Sequence, residues 1–233
     1  EVGGVDKINK FLKDNGFSIA LQPSDPWSVA AACIIEILVK WADEIDAEET
    51  TVELKNGMSV PAVGVTNISN IVHVENHEFP IIELNTSSEN KVFITQYVKE
   101  LEKGPTILYK LIGSWKEHIT DFYAANYSGN VIFPMVDFNV EDEIEELIGA
   151  MGLDVNDNGF VIGQALSQHI LKINAEGALA KAAAACTAFM GGLPDVDICI
   201  DTAFIIWFEH NGTIPFCAYI MEDDMKKPLS LTG

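Results

Sequence analysis

An alanine-rich run in the last third of the chain constrains the fold most, because its composition contradicts its flanks. Residues 178–188 are mostly alanine, which has the highest helix propensity of any residue, so the run alone predicts a short surface helix. The segments Phe160–Ile173 and Ile198–Phe208 on either side have strand-like patterns, and Gly177 precedes the run where a hinge would lie. Small side chains also suit a segment that slides between two existing strands, because such a segment must carry neither bulk nor charge. The sequence leaves both interpretations open.

The middle of the chain shows the period-two alternation of strands that bury one face. Thr51–Leu54 and Met58–Val65 flank Asn56-Gly57, which is a strong signal for a tight hairpin turn. A second such turn, Asn211-Gly212, joins the last two strands. The remaining predicted strands are Asn70–Glu75, Phe79–Leu84, Lys91–Val98, Val131–Val140 and Ile214–Met221.

Helical spacing appears in three segments. Val5–Phe17 is an amphipathic helix with Gly16 as its stop, Lys99–His118 is a helix interrupted by Gly104-Pro105, and Glu141–Met151 is an acidic amphipathic helix. Ser28–Lys40 is apolar and rich in Val and Ile, so its second half is predicted as a buried strand.

Composition excludes several classes of function. The 233 residues include 14 Lys+Arg, all of them lysine, against 35 Asp+Glu, for a formal net charge of −21. This balance argues against a nucleic-acid or anionic-membrane partner, since phosphate binding needs clustered positive charge. No apolar run is long enough to span a bilayer. The chain opens at Glu1 without a signal peptide, which indicates a processed or cut product, and its length suffices for one large domain or two small ones.

The cysteines and the glycosylation sequons bear on the compartment. No two cysteines have CxxC spacing, so free, buried thiols are expected at Cys33, Cys186, Cys199 and Cys217. Four Asn-x-Ser/Thr sequons, at Asn67, Asn85, Asn126 and Asn211, suggest a secreted or extracellular glycoprotein, with a cytoplasmic location as the alternative.

No residue pattern supports catalysis, a metal or a cofactor. The segment 154–159 resembles the first half of a calcium loop, but Ala165 stands where a bidentate glutamate is needed. His73 and His77 flank a strand end without an evident third ligand, so both are expected to be exposed hairpin histidines. A nucleophile elbow and a phosphate loop are absent, and Cys186 has an apolar setting that gives no reason for thiolate activation. We therefore expect a protein that is not an enzyme.

Beyond these patterns, the chain resembles the serpin family. The residues Asn174-Ala175-Glu176-Gly177-Ala178-Leu179-Ala180-Lys181-Ala182-Ala183 are similar to the family's alanine-rich hinge, and Ile198–Phe208 is similar to its C-terminal signature, with Phe204 as the central phenylalanine. Ile8–Phe11 resembles the start of serpin helix F. Ala30–Trp41 resembles the third strand of the central sheet, with Trp41 at the position called the breach.

The departures from the family pattern concern the movable parts. Thr202-Ala203 replaces a polar residue and proline of the signature, Ser167 replaces a histidine of the fifth strand with His169 two positions on, and Lys181 interrupts the hinge alanines. The family's N-terminal third, with several helices and two strands of the large sheet, has no counterpart in this sequence.

The resemblance implies a single α+β domain over residues 1–233, with partial serpin architecture: a shortened central sheet, a second barrel-like antiparallel sheet and a few helices. It implies an inhibitor of serine or cysteine proteases whose reactive-centre loop, about residues 177–194, is cleaved and then inserts as a strand. The alternative is a non-inhibitory binding or decoy protein with a static loop, and a companion chain could supply the absent helices. The implied hinge is Glu176, Gly177, Ala178, Ala180, Ala182 and Ala183, and the implied scissile region is Met190, Gly191 and Gly192.

Overall fold

The computed structural model describes residues 5–22, 41, 46–74, 77–84, 86–87, 90–99, 105–121, 127–143, 166–175 and 196–229. The elements, in chain order, are α1 (Val5–Asp14), β1 (Asp46–Glu53), β2 (Ser59–Val72), β3 (Ile81–Leu84), β4 (Lys91–Gln96), α2 (Pro105–Asp121), β5 (Tyr127–Pro134), β6 (Val136–Glu143), β7 (Leu166–Ile173), β8 (Val196–Cys199), β9 (Phe204–His210) and β10 (Thr213–Ile220). Neither of the two described helices has the length and apolar character that crossing a membrane requires.

The chain divides into two compact units. One contains residues 1–36 and 138–171 together with residue 233, and the other contains residues 37–137 and 172–232. Strands β6 and β7 form a two-stranded sheet.

Helix α1 ends at Asp14, before the predicted end at Phe17, and Gly16 stops it as predicted. Gly16 has a φ of +83°, a conformation that costs glycine little. The N–H of Gly16 donates to the carbonyl of Lys13 at 3.1 Å, and the N–H of Phe17 donates to that of Leu12 at 3.0 Å. These two bonds form a Schellman motif, which satisfies carbonyls that the helix end would otherwise leave unpaired.

The second sheet has eight strands in the order β10-β9-β4-β3-β2-β5-β8, with β1 paired to β2. Its described pairs are antiparallel except for β5 and β8, which run parallel. The end strands β10 and β8 do not pair with each other, so over the described residues the predicted barrel-like sheet is open.

Both predicted Asn-Gly turns are confirmed. In the β1–β2 hairpin Gly57 has a φ of +84°, and Leu54 and Met58 are joined by a 2.8 Å backbone hydrogen bond. In the β9–β10 hairpin Asn211 and Gly212 have φ values of +48° and +77°. Two successive positive φ angles are typical of a type I′ turn, whose twist matches that of the flanking strands.

Helix α2 covers one face of the eight-stranded sheet. The spacing of Leu108, Leu111, Ile112 and Trp115 places these side chains on one side of the helix. They pack on alternate residues of the strands, and Phe93 stacks on Trp207 with 5.0 Å between ring centroids. This core therefore forms where the apolar side of α2, with helical spacing, packs on the alternating apolar side chains of the strands.

Two predicted strands are wrong as single elements. Val131–Val140 is divided at Met135 between β5 and β6, which belong to different sheets. The Met135 N–H donates to the carbonyl of Pro61 at 2.8 Å as the chain leaves β5. Ile198–Phe208 is divided at residues 200–203 between β8 and β9. Each half pairs with a different strand, which a continuous apolar pattern does not reveal.

Two further boundaries differ from prediction. The predicted helix Glu141–Met151 cannot begin at Glu141, because β6 extends to Glu143; residues 144–151 lie outside the described part. The predicted strand Asn70–Glu75 is the end of the long strand β2. Ser28–Lys40 and the calcium-like segment 154–159 also lie outside it.

Candidate functional site

The predicted hinge and scissile residues fall between two described anchors. Glu176, Gly177, Ala178, Ala180, Ala182, Ala183, Met190, Gly191 and Gly192 all lie outside the described residues. The chain is described up to Ala175, directly after β7, and again from Val196, where β8 begins. The candidate site is therefore built from these two anchors and from Trp41.

The first anchor remains buried after its strand has ended. Strand β7 stops at Ile173, yet Asn174 is 2% exposed and Ala175 is 0% exposed. An alanine leaves room for such close packing, since it has only a methyl group. The predicted hinge thus starts from the protein interior rather than from a surface turn.

A glutamine in β7 holds the segment that follows α1. The Gln168 side-chain carbonyl accepts from the backbone N–H of Ser18 at 2.8 Å and from that of Ile19 at 3.3 Å. Its amide nitrogen donates to the Ser18 hydroxyl at 2.9 Å and to Asn139 of β6 at 2.8 Å. One side chain therefore joins three segments, 150 residues apart in sequence at the widest.

The second anchor is the pairing of β8 with β5. The Ile200 N–H donates to the carbonyl of Ile132 at 2.8 Å, extending the parallel register of Val131 with Ile198. The Asn130 amide donates to the Asp197 carboxylate at 2.9 Å on an exposed surface. These bonds hold the chain immediately after the predicted reactive-centre loop.

Asp201 ties this anchor to the rest of the sheet. Its carboxylate accepts from the Gln96 amide at 2.7 Å and lies 3.4 Å from the Lys55 ammonium. Its backbone carbonyl accepts from the Lys55 N–H at 2.9 Å. Gln96 is only 7% exposed, so its amide depends on this carboxylate for a partner in place of water. We call Asp201, Gln96 and Lys55 the Asp201 node.

Trp41, the predicted breach residue, is buried at 7% exposure. Its backbone forms an isolated antiparallel bridge to Thr86, and its ring meets Phe133 edge-on at 6.2 Å between centroids. The indole N–H finds no acceptor among the described residues. A buried donor without an acceptor costs about 1–3 kcal/mol.

The histidines do not form a metal site within the described part of the chain, where no group of three possible ligands occurs. His73 is exposed, as predicted, but the prediction is wrong for His77, which is half-buried. The Thr95 hydroxyl donates to the Pro80 carbonyl at 2.8 Å and accepts from Nε2 of His77 at 2.8 Å. The imidazole also stacks on Trp115, with 4.4 Å between ring centroids. Burial lowers the pKa of His77, Lys99 lowers it further, and Glu78 opposes the shift.

The two described cysteines are free, but neither is fully buried as predicted. Cys199 is exposed in β8 and Cys217 is half-buried in β10. Partial desolvation, with the Asp201 carboxylate nearby, raises the pKa of the Cys199 thiol. Burial raises the pKa of Cys217 to about 11, against the effect of its hydrogen bond with Tyr109. Both thiols are therefore protonated at neutral pH and are poor nucleophiles.

Sequence reasoning missed Gln168, Asn130 and the Asp201 node. Asp201 did carry a signal, because a carboxylate inside the apolar run Ile198–Phe208 marks a break in the strand. Gln168 carried none, since a glutamine in an alternating strand is ordinary. The side chains of Ser167 and His169 lie outside the described residues.

Among the comparisons with known proteins, only the comparison with solved structures finds matches. No protein-family model matches the chain, and no curated protein matches it significantly. A highly specific serpin of the insect Tenebrio molitor is 14% identical with a TM-score of 0.53, over 78% of this chain and 53% of that chain. The mouse protein Z-dependent protease inhibitor is 14% identical with a TM-score of 0.60, over 92% of this chain and 62% of that chain. Thyroxine-binding globulin in complex with thyroxine is 12% identical with a TM-score of 0.62, over 96% of this chain and 65% of that chain.

The chain spans between 53% and 65% of the length of these solved chains. Its described part therefore has a partial serpin fold, with mixed α and β structure, few helices and two sheets.

Proposed function

We propose that the protein is a serpin-type protease inhibitor that acts through a cleavable loop, about residues 177–194, between β7 and β8. The observation that carries this proposal is the serpin fold with both ends of that loop attached to ordered strands. A loop that is attached to a strand at each end cannot insert into a sheet along its whole length. Cleavage frees one end, and the segment can then insert. The fold supplies the arrangement, and the sequence of the loop supplies the small residues.

The proposed reaction begins as ordinary proteolysis. The serine or cysteine nucleophile of the protease attacks the carbonyl carbon of a peptide bond near Met190-Gly191-Gly192 and forms an acyl-enzyme. The peptide bond breaks, and the new amino terminus leaves with the part of the chain that continues into β8. The part attached to β7 is then free to move with the protease still esterified to it.

Insertion beside β7 would supply the driving force. About a dozen backbone hydrogen bonds become available to the released segment, each worth about 1 kcal/mol net. Alanines can enter between strands without displacing neighbouring side chains, whereas Lys181 opposes entry if its side chain faces the core.

A static-loop binding protein is the second candidate. It is favoured by the likeness to thyroxine-binding globulin, a protein that was solved with thyroxine bound. Lys181 in the hinge also favours it, because a charged side chain that faces the core opposes insertion. This candidate predicts a loop that can be cut without any gain in stability.

Limited proteolysis combined with thermal unfolding separates the two candidates. Cleavage near Met190 is expected to raise the melting temperature sharply in an inhibitor, and a panel of serine and cysteine proteases should yield an SDS-stable covalent complex. The variant Ala182→Arg places a large charge in the inserting segment, so it should be cut at the same bond without the rise in melting temperature. Cleavage of the unaltered protein with an unchanged melting temperature, and no covalent complex with any protease, would contradict the inhibitor proposal.

The loop sequence is the basis for proposing a target protease, and the sequons are the basis for proposing a cellular compartment. A small or apolar residue near the scissile bond suits an elastase-like or chymotrypsin-like protease, and the four sequons suit a secreted protein. A companion chain is proposed as a further partner. Co-purification of the protein from its natural source, followed by analysis of bound chains, tests this last point.

A further inference from the structure

The four sequons differ in where the fold places their asparagines. Asn67 lies within β2, which pairs with strands on both of its sides. Asn85 and Asn126 lie outside the described residues. Asn211 lies at the tip of the β9–β10 hairpin, outside the paired strands.

The whole Asn211 sequon is accessible. Asn211, Gly212 and Thr213 are all exposed, and no heavy atom lies within 4 Å of the space that a Cβ on Gly212 would occupy. The Thr213 hydroxyl donates to the carbonyl of His210 at 2.7 Å, and the Asn211 amide nitrogen lies 2.9 Å from Nε2 of His210. A second N–H remains on the amide nitrogen, so the group can be substituted without removing its ability to donate.

Helix α2 contacts the backbone of the β9–β10 hairpin, and the Asn211 side chain at its turn is exposed. The Lys116 ammonium of α2 donates to the carbonyl of Gly212 at 2.6 Å and pairs with Glu209 at 3.3 Å. This contact fixes the turn through its backbone and leaves the Asn211 side chain in solvent. A bulky substituent on Asn211 would therefore disturb no packed core.

We propose that Asn211 is an N-glycosylation site. The amide nitrogen of Asn211 forms a bond to the anomeric carbon of a lipid-pyrophosphate-linked oligosaccharide; the bond from that carbon to the pyrophosphate breaks, and the amide loses one proton. The lipid pyrophosphate is the leaving group, and no oxidant or reductant is needed. This inference rests on the secreted location proposed above, but not on protease inhibition.

The test is translation of the full chain, with a cleavable signal peptide added, in the presence of microsomes. Translocated protein is isolated by its protection from added protease, and an amidase that releases the glycan and leaves aspartate in place of the glycosylated asparagine then marks each occupied site for peptide mass spectrometry. Aspartate at position 211 in the amidase-treated sample, and not in an untreated sample that reports spontaneous deamidation of Asn-Gly, is the expected result. Recovery of the translocated peptide with unmodified Asn211 would overturn the proposal.

Matched variants separate the sequon from its surroundings. Thr213→Ser keeps a hydroxyl and the sequon, so modification should persist, whereas Thr213→Ala and Asn211→Gln should abolish it at this site. Asn67→Gln should leave the modification of Asn211 unchanged. The forced translocation makes the outcome independent of protease inhibition, so a failed glycosylation test and a failed inhibition test point to different proposals.

Discussion

At the scale of single residues, tertiary contacts fix the position of the His77 imidazole and lower its pKa. It belongs to the loop between β2 and β3, yet it bonds Thr95 of β4 and stacks on Trp115 of α2. The Thr95 hydroxyl already donates to Pro80, so it accepts the Nε2 proton of His77. The groups that act on this imidazole are Lys99, which disfavours its cation, and Glu78, which favours it.

The lowered pKa of His77 makes stability depend on pH. Below its unfolded pKa of 6.5 the unfolded chain binds a proton that the folded protein resists, so stability is fully present above 6.5 and falls as the pH drops through the folded pKa. We expect the melting temperature to fall as the pH is lowered below about 6.5, and to fall less in His77→Gln, which keeps a donor for Thr95 without titrating. Equal losses in both proteins would show that His77 is not responsible.

At the scale of elements, two aspartate hydrogen bonds hold the region of β8 and β9, and they contribute differently to the free energy of unfolding. Asp197 bonds Asn130 on an exposed surface, where water can replace either partner. Asp201 bonds Gln96, whose side chain is buried, at the point where β8 gives way to β9. Removing a partner is costly only where water cannot reach the group left behind.

Two aspartate variants therefore form a matched pair. Asp201→Ala leaves the buried Gln96 amide without an acceptor and removes the Lys55 contact, which should lower the free energy of unfolding by about 1–3 kcal/mol. Asp197→Ala should change it by less than about 0.5 kcal/mol. Urea denaturation of both variants measures the difference, and equal losses would contradict a special role for the Asp201 node.

At the scale of the whole molecule, charge works against compactness. The formal net charge is −21, from 35 acidic residues against 14 lysines. Exposed ion pairs such as Lys227 with Glu49, at 2.7 Å, contribute only about 0–1 kcal/mol each, so they do not offset the repulsion among the unpaired carboxylates. Dissolved salt screens the repulsion between the carboxylates and therefore stabilises such a chain.

Salt should consequently stabilise the protein. We expect the melting temperature to rise between about 10 and 150 mM NaCl at neutral pH, because the Debye length falls from about 30 to about 8 Å. Near pH 4.4, the isoelectric point, the net charge vanishes and the same salt step should have little effect. A melting temperature that responds equally at both pH values would contradict this account.

The sequence by itself determined the features that depend on neighbours along the chain. The stop of α1 at Gly16 and the turns at Asn56-Gly57 and Asn211-Gly212 follow from the backbone freedom of a few residues. The resemblance to serpins, read from Ile198–Phe208 and the alanine-rich hinge, gave the fold that the structural matches show.

Only the tertiary structure decided which strands pair and which polar side chains meet. Continuous apolar patterns concealed the breaks at Met135 and at residues 200–203, because apolar periodicity reports burial but not the partner strand. Gln168 meets a backbone 150 residues away, and Asp201 meets Gln96 at a separation of 105 residues. Contacts at such separations exist only once the chain has folded, so no local pattern of residues encodes them.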